Sequence, residues 1–510
     1  MIRKVFYFSA LVICINYTAN AQGIGIFEGQ GGIKGAKGSA VYNSKTQQYT
    51  LTSYGGESKG TDKPSYFLWR KIKGDFIITA NVTFVPTKAA IKYGKIGVAL
   101  RSGIDDDAKF IDVAKQSGKA TAMQYQLIAG NNQINSKVTN ADVIQLERRG
   151  NVYRMWVAKQ GDPFTVDSLT TTEISEDAYV GIFYSGGATK GAAKAVFSNV
   201  RITVPAKLDF KPYTDYIGSN IEILDLATKN RRVIYQYNKS IQAPNWTRDG
   251  KKLLYNQDDL LYTYELATNK PTLLNTGDVK RNNNDHVISF DGKRLAISSF
   301  GVRGGPDNGR SVGYVVPITG GQPKRITTVA PSYIHSWSPD DKAIVFMSTR
   351  DGNSDIYSVS PDGGTETRLT TDPAYDDGCE YTPDGKYIYF NSVRTGHMQI
   401  WRMKPDGSEQ TQITHSEFND WFPHVSPDGK FIVYISFLLN EVGPQDHPFY
   451  RHVYLQRMPI GGGKPEVIAY LYGGQGTINT PSFSPDGKQV AFVSNTDLLF
   501  PLFPIEYQKK

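Results

Sequence analysis

PHVSPDGKFIVYIS (423–436) is one of six copies of a fourteen-residue motif in the second half of the chain. The other copies begin at residues 244, 286, 335, 379 and 481, so the repeat has a period of 42 to 58 residues. Each copy predicts two apolar strands joined by a turn in which Asp caps the backbone. In five of the copies the next residue is Gly, which accepts a positive φ, and in the copy at 335–348 it is Asp341. A repeat of this period indicates units that bury their apolar faces only by stacking on one another.

The two ends of this repeat region complement each other. A third and a fourth strand are predicted after a motif copy, for example at 355–370 and at 399–414. The last copy (481–494) is not followed by such strands, whereas residues 220–235 have them without a preceding copy. The two segments are therefore predicted to form one blade, which closes a six-bladed β-propeller without a free strand edge.

The motif copies resemble the repeats of the TolB-type propeller, and the resemblance extends over residues 220–498. The phrases at 333–341, 375–407, 419–436 and 471–487 are similar to one group of exported TolB-like proteins that is commonly labelled a biopolymer transport component. The resemblance implies a six-bladed propeller. It does not fix an activity, because one fold supports many functions.

Residues 22–205 do not carry the repeat. Short alternating strands, such as 75–84 and 143–148, are separated by Gly and Asn turns and predict a β-sandwich. The order of the phrases at 74–84, 94–110 and 144–161 resembles the concanavalin-A-like jelly-roll domains of bacterial secreted proteins, which often bind glycans. The chain is thus predicted to be all-β, with a jelly roll at 22–205, a linker at 206–219, the propeller at 220–498 and a tail at 499–510.

The first 21 residues are predicted to be a secretory signal, with Arg3 and Lys4 before an apolar run and Ala-Asn-Ala before Gln22. Cleavage before Gln22 predicts a periplasmic or secreted protein. It would lower the formal net charge from +8 to +6, and no block of five like charges is present, which argues against nucleic acid as a partner. No other apolar run reaches about 18 residues, so no transmembrane segment is expected.

Polar residues occupy equivalent positions where the inner strands of successive blades begin, on the face around the channel. The predicted ligand-binding residues there are Asp285, His286, His335, Asp377, Glu380, Asn419, Asp420 and His424. Loops between second and third strands add Arg350, Arg394 and, in a longer insertion, His447. Arginine binds carboxylates in a bidentate manner, which suits acidic sugars.

Three functions are open at this point. The first is an envelope protein that binds a glycan or another polar ligand, which aromatic residues flanking the channel mouth (Tyr333, Tyr375 and Trp421) favour. The second is a metal-assisted carbohydrate-active lyase or hydrolase, similar in outline to secreted oligogalacturonate lyases. The third is a TolB-like scaffold for an envelope protein partner. Whether the chain is an enzyme is left open.

The same positions offer a candidate site for a divalent metal. His286, His335, Glu380 and His424 come from four consecutive blades, and imidazole and carboxylate suit Zn or Mn. The structural alternative is that these side chains cap the incoming loops by hydrogen bonding. Positions four and five before the turn Asp point to opposite sides of an ideal strand, so the four ligands would meet only if the strands contain bulges.

Overall fold

A computed structural model describes residues 24–54, 65–86, 94–118, 120–128, 132–186, 192–211 and 214–497. Every regular element in these ranges is a β-strand. Within them, no helix is long and apolar enough to cross a membrane. The predicted signal peptide and C-terminal tail lie outside the described residues.

The N-terminal unit consists of two antiparallel sheets. Its strands are β1 (Gly29–Ile33), β2 (Lys37–Asn43), β3 (Gln48–Tyr54), β4 (Ser65–Lys73), β5 (Phe76–Phe84), β6 (Lys95–Arg101), β7 (Phe110–Gln116), β8 (Thr121–Gln126), β9 (Asn132–Asn135), β10 (Val143–Arg149), β11 (Val152–Ala158), β12 (Thr165–Thr170), β13 (Asp177–Ser185) and β14 (Ala192–Thr203). The sheet orders are β1-β4-β13-β6-β7-β8-β9 and β12-β11-β10-β5-β14-β3-β2. One apolar core contains residues of both sheets, such as Val98 of the first and Ile78 of the second. The jelly-roll assignment of this unit stays a prediction.

The second unit is a six-bladed propeller. Its strands are β15 (Ser219–Asp225), β16 (Arg231–Tyr237), β17 (Ile241–Trp246), β18 (Lys252–Gln257), β19 (Leu260–Glu265), β20 (Lys270–Leu273), β21 (Asn282–Ile288), β22 (Arg294–Phe300), β23 (Ser311–Pro317), β24 (Lys324–Arg325), β25 (Ser332–Trp337), β26 (Ile344–Arg350), β27 (Asn353–Val359), β28 (Thr367–Arg368), β29 (Asp376–Tyr381), β30 (Ile388–Ser392), β31 (Gln399–Met403), β32 (Thr411–Gln412), β33 (Phe418–Val425), β34 (Phe431–Leu438), β35 (Arg451–Pro459), β36 (Glu466–Gly473) and β37 (Gln489–Asn495). Five sheets contain four consecutive strands each, and we number them in chain order as the first blade (β17 to β20) to the fifth blade (β33 to β36). The sixth and last blade has the order β16-β15-β37.

The sixth sheet closes the ring. Strand β37 pairs with β15 in an antiparallel register that places Ile221 opposite Val493, and Phe483 adds a bridge to Val490. The predicted union of the two ends of the repeat region in one blade is therefore confirmed.

The inner strands are irregular where they approach the channel mouth. The pairing register shifts between Gln242 and Asn245 in β17, and at the equivalent place in β21, β25, β29 and β33. In three blades the residue six positions before the turn Asp has a positive φ: Ala243, Gly378 and Phe422. A bulge breaks the alternation of an ideal strand, so neighbouring residues can face the channel at different depths.

The N-terminal unit packs against the propeller. The main-chain amides of Ala206 and Ile217 donate to the hydroxyls of Tyr472 and Tyr450, at 3.2 Å each. Val143 and Ala158 of the N-terminal unit share an apolar cluster with Val467 and neighbouring tyrosines of the fifth blade. The segment between the units thereby runs beside the insertion between β34 and β35, residues 439–450.

Candidate functional site

A cavity of about 600 Å³ lies at the channel mouth. Each blade contributes one or more residues to its wall, among them Gln242, Asp285, His335, Asp377, Phe422 and Asn479. Tyr216 from the segment between the units, and His447 and Phe449 from the insertion after β34, complete the wall. We call this space the mouth cavity. The structure thus brings together four of the predicted site residues: Asp285, His335, Asp377 and His447.

His335 and Asp377 form a buried ion pair in this wall. His335 Nε2 lies 2.9 Å from Asp377 Oδ1, and the hydroxyl of Tyr375 donates to Asp377 Oδ2 at 2.9 Å. Burial alone would raise the pKa of Asp377, but the hydrogen bond and charge of His335 hold that pKa below its ordinary value. Burial would lower the pKa of His335, but Asp377 raises it. Both shifts favour the charged forms of the two groups.

Asp285 is buried beside this pair without a donor of its own. It is 5% exposed, and no residue in the described part of the chain donates a hydrogen bond to its carboxylate. Burial raises the pKa of Asp285 to about 7; the charge of His335 opposes this shift and that of Asp377 adds to it. Asn284 Nδ2 and Gln475 Oε1, also of cavity-lining residues, have no hydrogen-bond partner within the described chain. Buried polar groups are almost always paired, so these groups indicate a place for a ligand.

Glu380 and His424 do not line the mouth cavity. His424 Nδ1 lies 2.6 Å from Glu380 Oε2, and its Nε2 contacts the carbonyl of Ile478. The amide of Val425 donates to Glu380 Oε1 at 2.9 Å. These contacts join the fourth, fifth and last blades of the ring. They match the structural alternative, in which residues at this position hold the inner strands together by hydrogen bonds.

Three further predicted residues lie outside the mouth cavity. His286 is fully buried, and burial lowers its pKa to about 4, so it is neutral near pH 7. Asn419 supports the insertion after β34, because its Nδ2 donates to the carbonyl of Gly443 at 3.1 Å. Asp420 accepts hydrogen bonds from Ser436 and Ser416 at 2.6 and 2.7 Å, and burial raises its pKa to about 6.

The two predicted arginines also lie outside the cavity, where each has a carboxylate partner. Arg350 pairs with Glu366 and lies 4.0 Å from the ring centroid of Tyr357. Arg394 contacts both oxygens of Asp376, at 2.8 and 3.0 Å. Both guanidinium groups are therefore already paired within their own blades in this structure.

The four predicted metal ligands are divided between separate places. His335 pairs with Asp377, Glu380 pairs with His424, and His286 lies apart from both pairs. Within the described chain, no group of three or more His, Cys, Asp or Glu residues is arranged to hold a metal ion. The inner strands β21, β25, β29 and β33 contain the bulges that the four ligands would need in order to meet. These bulges do not bring the four side chains to one point. Metal binding stays a prediction, and metal analysis of the purified protein tests it.

Sequence reasoning missed several parts of the wall. Tyr216 lies in the predicted linker at 206–219, and nothing in its neighbourhood marks it as part of a site. Phe449 lies two residues after the predicted His447. Treating the whole insertion, and not only His447, as part of the site would therefore have included it. Phe422 reaches the cavity at the bulge of β33, where its φ is 51°. An ideal strand does not show which residue occupies such a bulge.

The raised pKa of Asp285 predicts a pH dependence of stability. A carboxyl with a raised folded-state pKa contributes stability that is complete below its unfolded pKa and is lost as the pH rises through the folded value. We therefore expect the melting temperature of the wild type, relative to Asp285→Asn, to fall between about pH 4 and pH 7 and then to level off. Thermal unfolding at matched pH values measures this difference. A difference that rises with pH, or is constant, would contradict the assignment.

Comparisons with known proteins agree on the second unit. The family profile described as "PD40: TolB beta propeller domain" matches residues 288–441. Uncharacterized protein Atu1656 of Agrobacterium fabrum is 45% identical over 289 residues, which are 56% of this chain and 94% of that protein. A solved structure of a TolB candidate from Agrobacterium tumefaciens is 44% identical, with a TM-score of 0.52, over 56% of this chain and 100% of its own.

A more distant relative is the Tol-Pal system protein TolB of Francisella tularensis. It is 32% identical over 156 residues, which are 29% of this chain. The chain spans only 34% of that protein's length.

Proposed function

We propose that this chain, which belongs to the TolB β-propeller family through its second half, is an envelope protein that binds an oligosaccharide in the mouth cavity. The observation that carries the proposal is Asp285, a buried carboxylate on the cavity wall without a hydrogen-bond donor among the described residues. Sugar hydroxyls are donors, so a bound glycan would satisfy this group.

The wall of the cavity has the chemistry that sugars require. Tyr333, Tyr375 and Phe422 offer aromatic surface, and Asn284 and Asn479 line the same cavity with side-chain amides. Aromatic surfaces pack on the apolar faces of sugar rings, whereas amides and carboxylates bind hydroxyls. A volume of about 600 Å³ falls in the ordinary range of small-molecule sites, about 300–1,000 Å³.

The proposal includes the N-terminal unit and the location. Two seven-stranded antiparallel sheets around one core support a concanavalin-A-like jelly roll for this unit. We propose a periplasmic or secreted protein that begins at or near Gln22. Mass spectrometry of the mature protein tests the cleavage site, and an N-terminus that retains residues 1–21 would contradict it.

The binding site is tested with a glycan array, followed by calorimetric titration of the best ligand. We expect Asp285→Asn to weaken binding about 10-fold or more, because hydrogen bonds to charged groups contribute about 1.5–3 kcal/mol. Asp278→Asn is the matched control, since Asp278 is exposed and does not line the cavity. Unchanged affinity in Asp285→Asn would overturn the assignment of the site. Analysis of the glycan after incubation shows whether the protein also cleaves it, as the lyase or hydrolase alternative requires.

A second candidate is a scaffold for an envelope protein. The 32% identity to a Tol-Pal system protein supports it. A protein that binds no glycan on the array, but is crosslinked to one envelope protein in cells, would favour the scaffold over the glycan-binding protein.

A further inference from the structure

We propose that the ligand of the mouth cavity carries a primary ammonium group, and that Asp285 binds this group against the aromatic wall. The inference rests on the proposed function, because it concerns the same cavity, and it narrows the class of ligand. The main observation behind the inference is Asp285. This residue is 5% exposed, lines the cavity and receives no hydrogen bond on its carboxyl group from the described residues.

The charges around the cavity favour a cation. Asp259, Asp285 and Asp377 line it, and among the described lining residues there is no Lys or Arg, although the chain as a whole has a formal net charge of +8. His335 also lines the cavity, and it is already paired with Asp377. Burial lowers the pKa of His447, which keeps its ring neutral. Asp285 is therefore left without a counterion of its own.

The aromatic part of the wall fits the same ligand. Tyr333, Tyr375, Phe422 and Phe449 line the same cavity, and the Tyr375 hydroxyl donates to Asp377. Cations are attracted to the faces of aromatic rings, with a contribution of about 0.5–2 kcal/mol. A primary ammonium group can donate to Asp285 while its substituents contact these rings. An acidic sugar would instead place its carboxylate beside Asp285 and Asp377, where like charges repel.

Two sources can supply the ammonium group, an amino sugar or the N-terminus of a peptide. Calorimetric titration of the purified protein at pH 7 with two matched pairs of probes separates them. The first pair is a glucosamine tetramer and its N-acetylated counterpart. The second pair is triglycine and N-acetyl-triglycine. Within each pair, acetylation removes the positive charge and leaves the rest of the ligand unchanged.

We expect the free-amine member of at least one pair to bind about 10-fold or more tightly than its acetylated counterpart. Asp285→Asn should remove this preference, and Asp278→Asn should retain it. The comparison within the wild type needs no variant, so it stands even if Asp285→Asn fails to fold.

The outcomes separate the two proposals. Equal binding of both tetramers, together with no preference for triglycine over N-acetyl-triglycine, would overturn the ammonium inference and leave glycan binding intact. Binding of triglycine alone would support the ammonium group and contradict the oligosaccharide. No preference for the free amine in either pair would overturn the inference, whatever ligand the glycan array identifies.

Discussion

Glu222→Ala is expected to lower the free energy of unfolding by about 3–5 kcal/mol, the usual cost of leaving a buried charge without its partner. Glu222 is fully buried on β15. Its carboxylate accepts hydrogen bonds from Arg231 at 2.5 and 2.8 Å, from Arg201 at 2.6 Å and from Ser494 at 2.5 Å. Burial alone would raise the pKa of Glu222, but the two arginines hold it well below its usual range.

The size of this effect follows from where the partners lie. Arg201 belongs to the N-terminal unit, Arg231 to β16, and Ser494 to the closing strand β37. One carboxylate thus links three segments that are far apart in the sequence. Its removal would leave the buried guanidinium of Arg231 without a counterion.

Chemical denaturation of both proteins at neutral pH measures the difference. Glu265→Ala is the control, because Glu265 lies 3.4 Å from Lys252 in a partly exposed pair, and such pairs contribute about 1 kcal/mol or less. A loss of less than about 1 kcal/mol in Glu222→Ala would show that this cluster does not stabilise the closed ring.

A chain that ends at residue 478 is expected to lose the folded propeller. It lacks β37, which pairs with β15 along seven residues and buries Val490, Phe492 and Val493. Burial of one such side chain contributes about 1.5–3 kcal/mol. The sum is comparable with the total stability of a typical domain, about 5–15 kcal/mol, and the exposed edge of β15 would favour aggregation.

A chain that ends at residue 497 is the matched control, since it keeps every described strand. Circular dichroism and thermal unfolding of the two chains test the difference. Cooperative unfolding of the chain ending at 478, within a few degrees of the control, would contradict ring closure as the source of stability.

The fold of the second unit was predictable because the repeated residues form the same local turn contacts in each copy of the motif. In the fifth blade, for example, Asp428 accepts hydrogen bonds from the Ser426 hydroxyl and the Lys430 amide, at 2.7 and 3.2 Å, and Gly429 has a φ of 67°. Residues with such local roles are visible in a sequence. The missing half-blades at the two ends of the repeat then predicted closure.

The candidate site was predictable only in part. The distance of a residue from the turn Asp indicated Asp285, His335 and Asp377, which line the mouth cavity. The same distance also indicated Glu380 and His424, which do not line it. Bulges in the inner strands and partners on neighbouring blades decide which side chains reach the mouth cavity, and neither is encoded by spacing along one strand. Spacing along one strand also does not show the carboxylate partners of Arg350 and Arg394, which lie on other strands or loops of the same blade.

The central claim is that the mouth cavity is the ligand site. A crystal structure of the protein with the ligand selected by titration tests it most directly. We predict ligand density at the channel mouth, with one of its donors within about 3 Å of the Asp285 carboxylate. Ligand density on the N-terminal unit, with only water at the mouth, would contradict the claim.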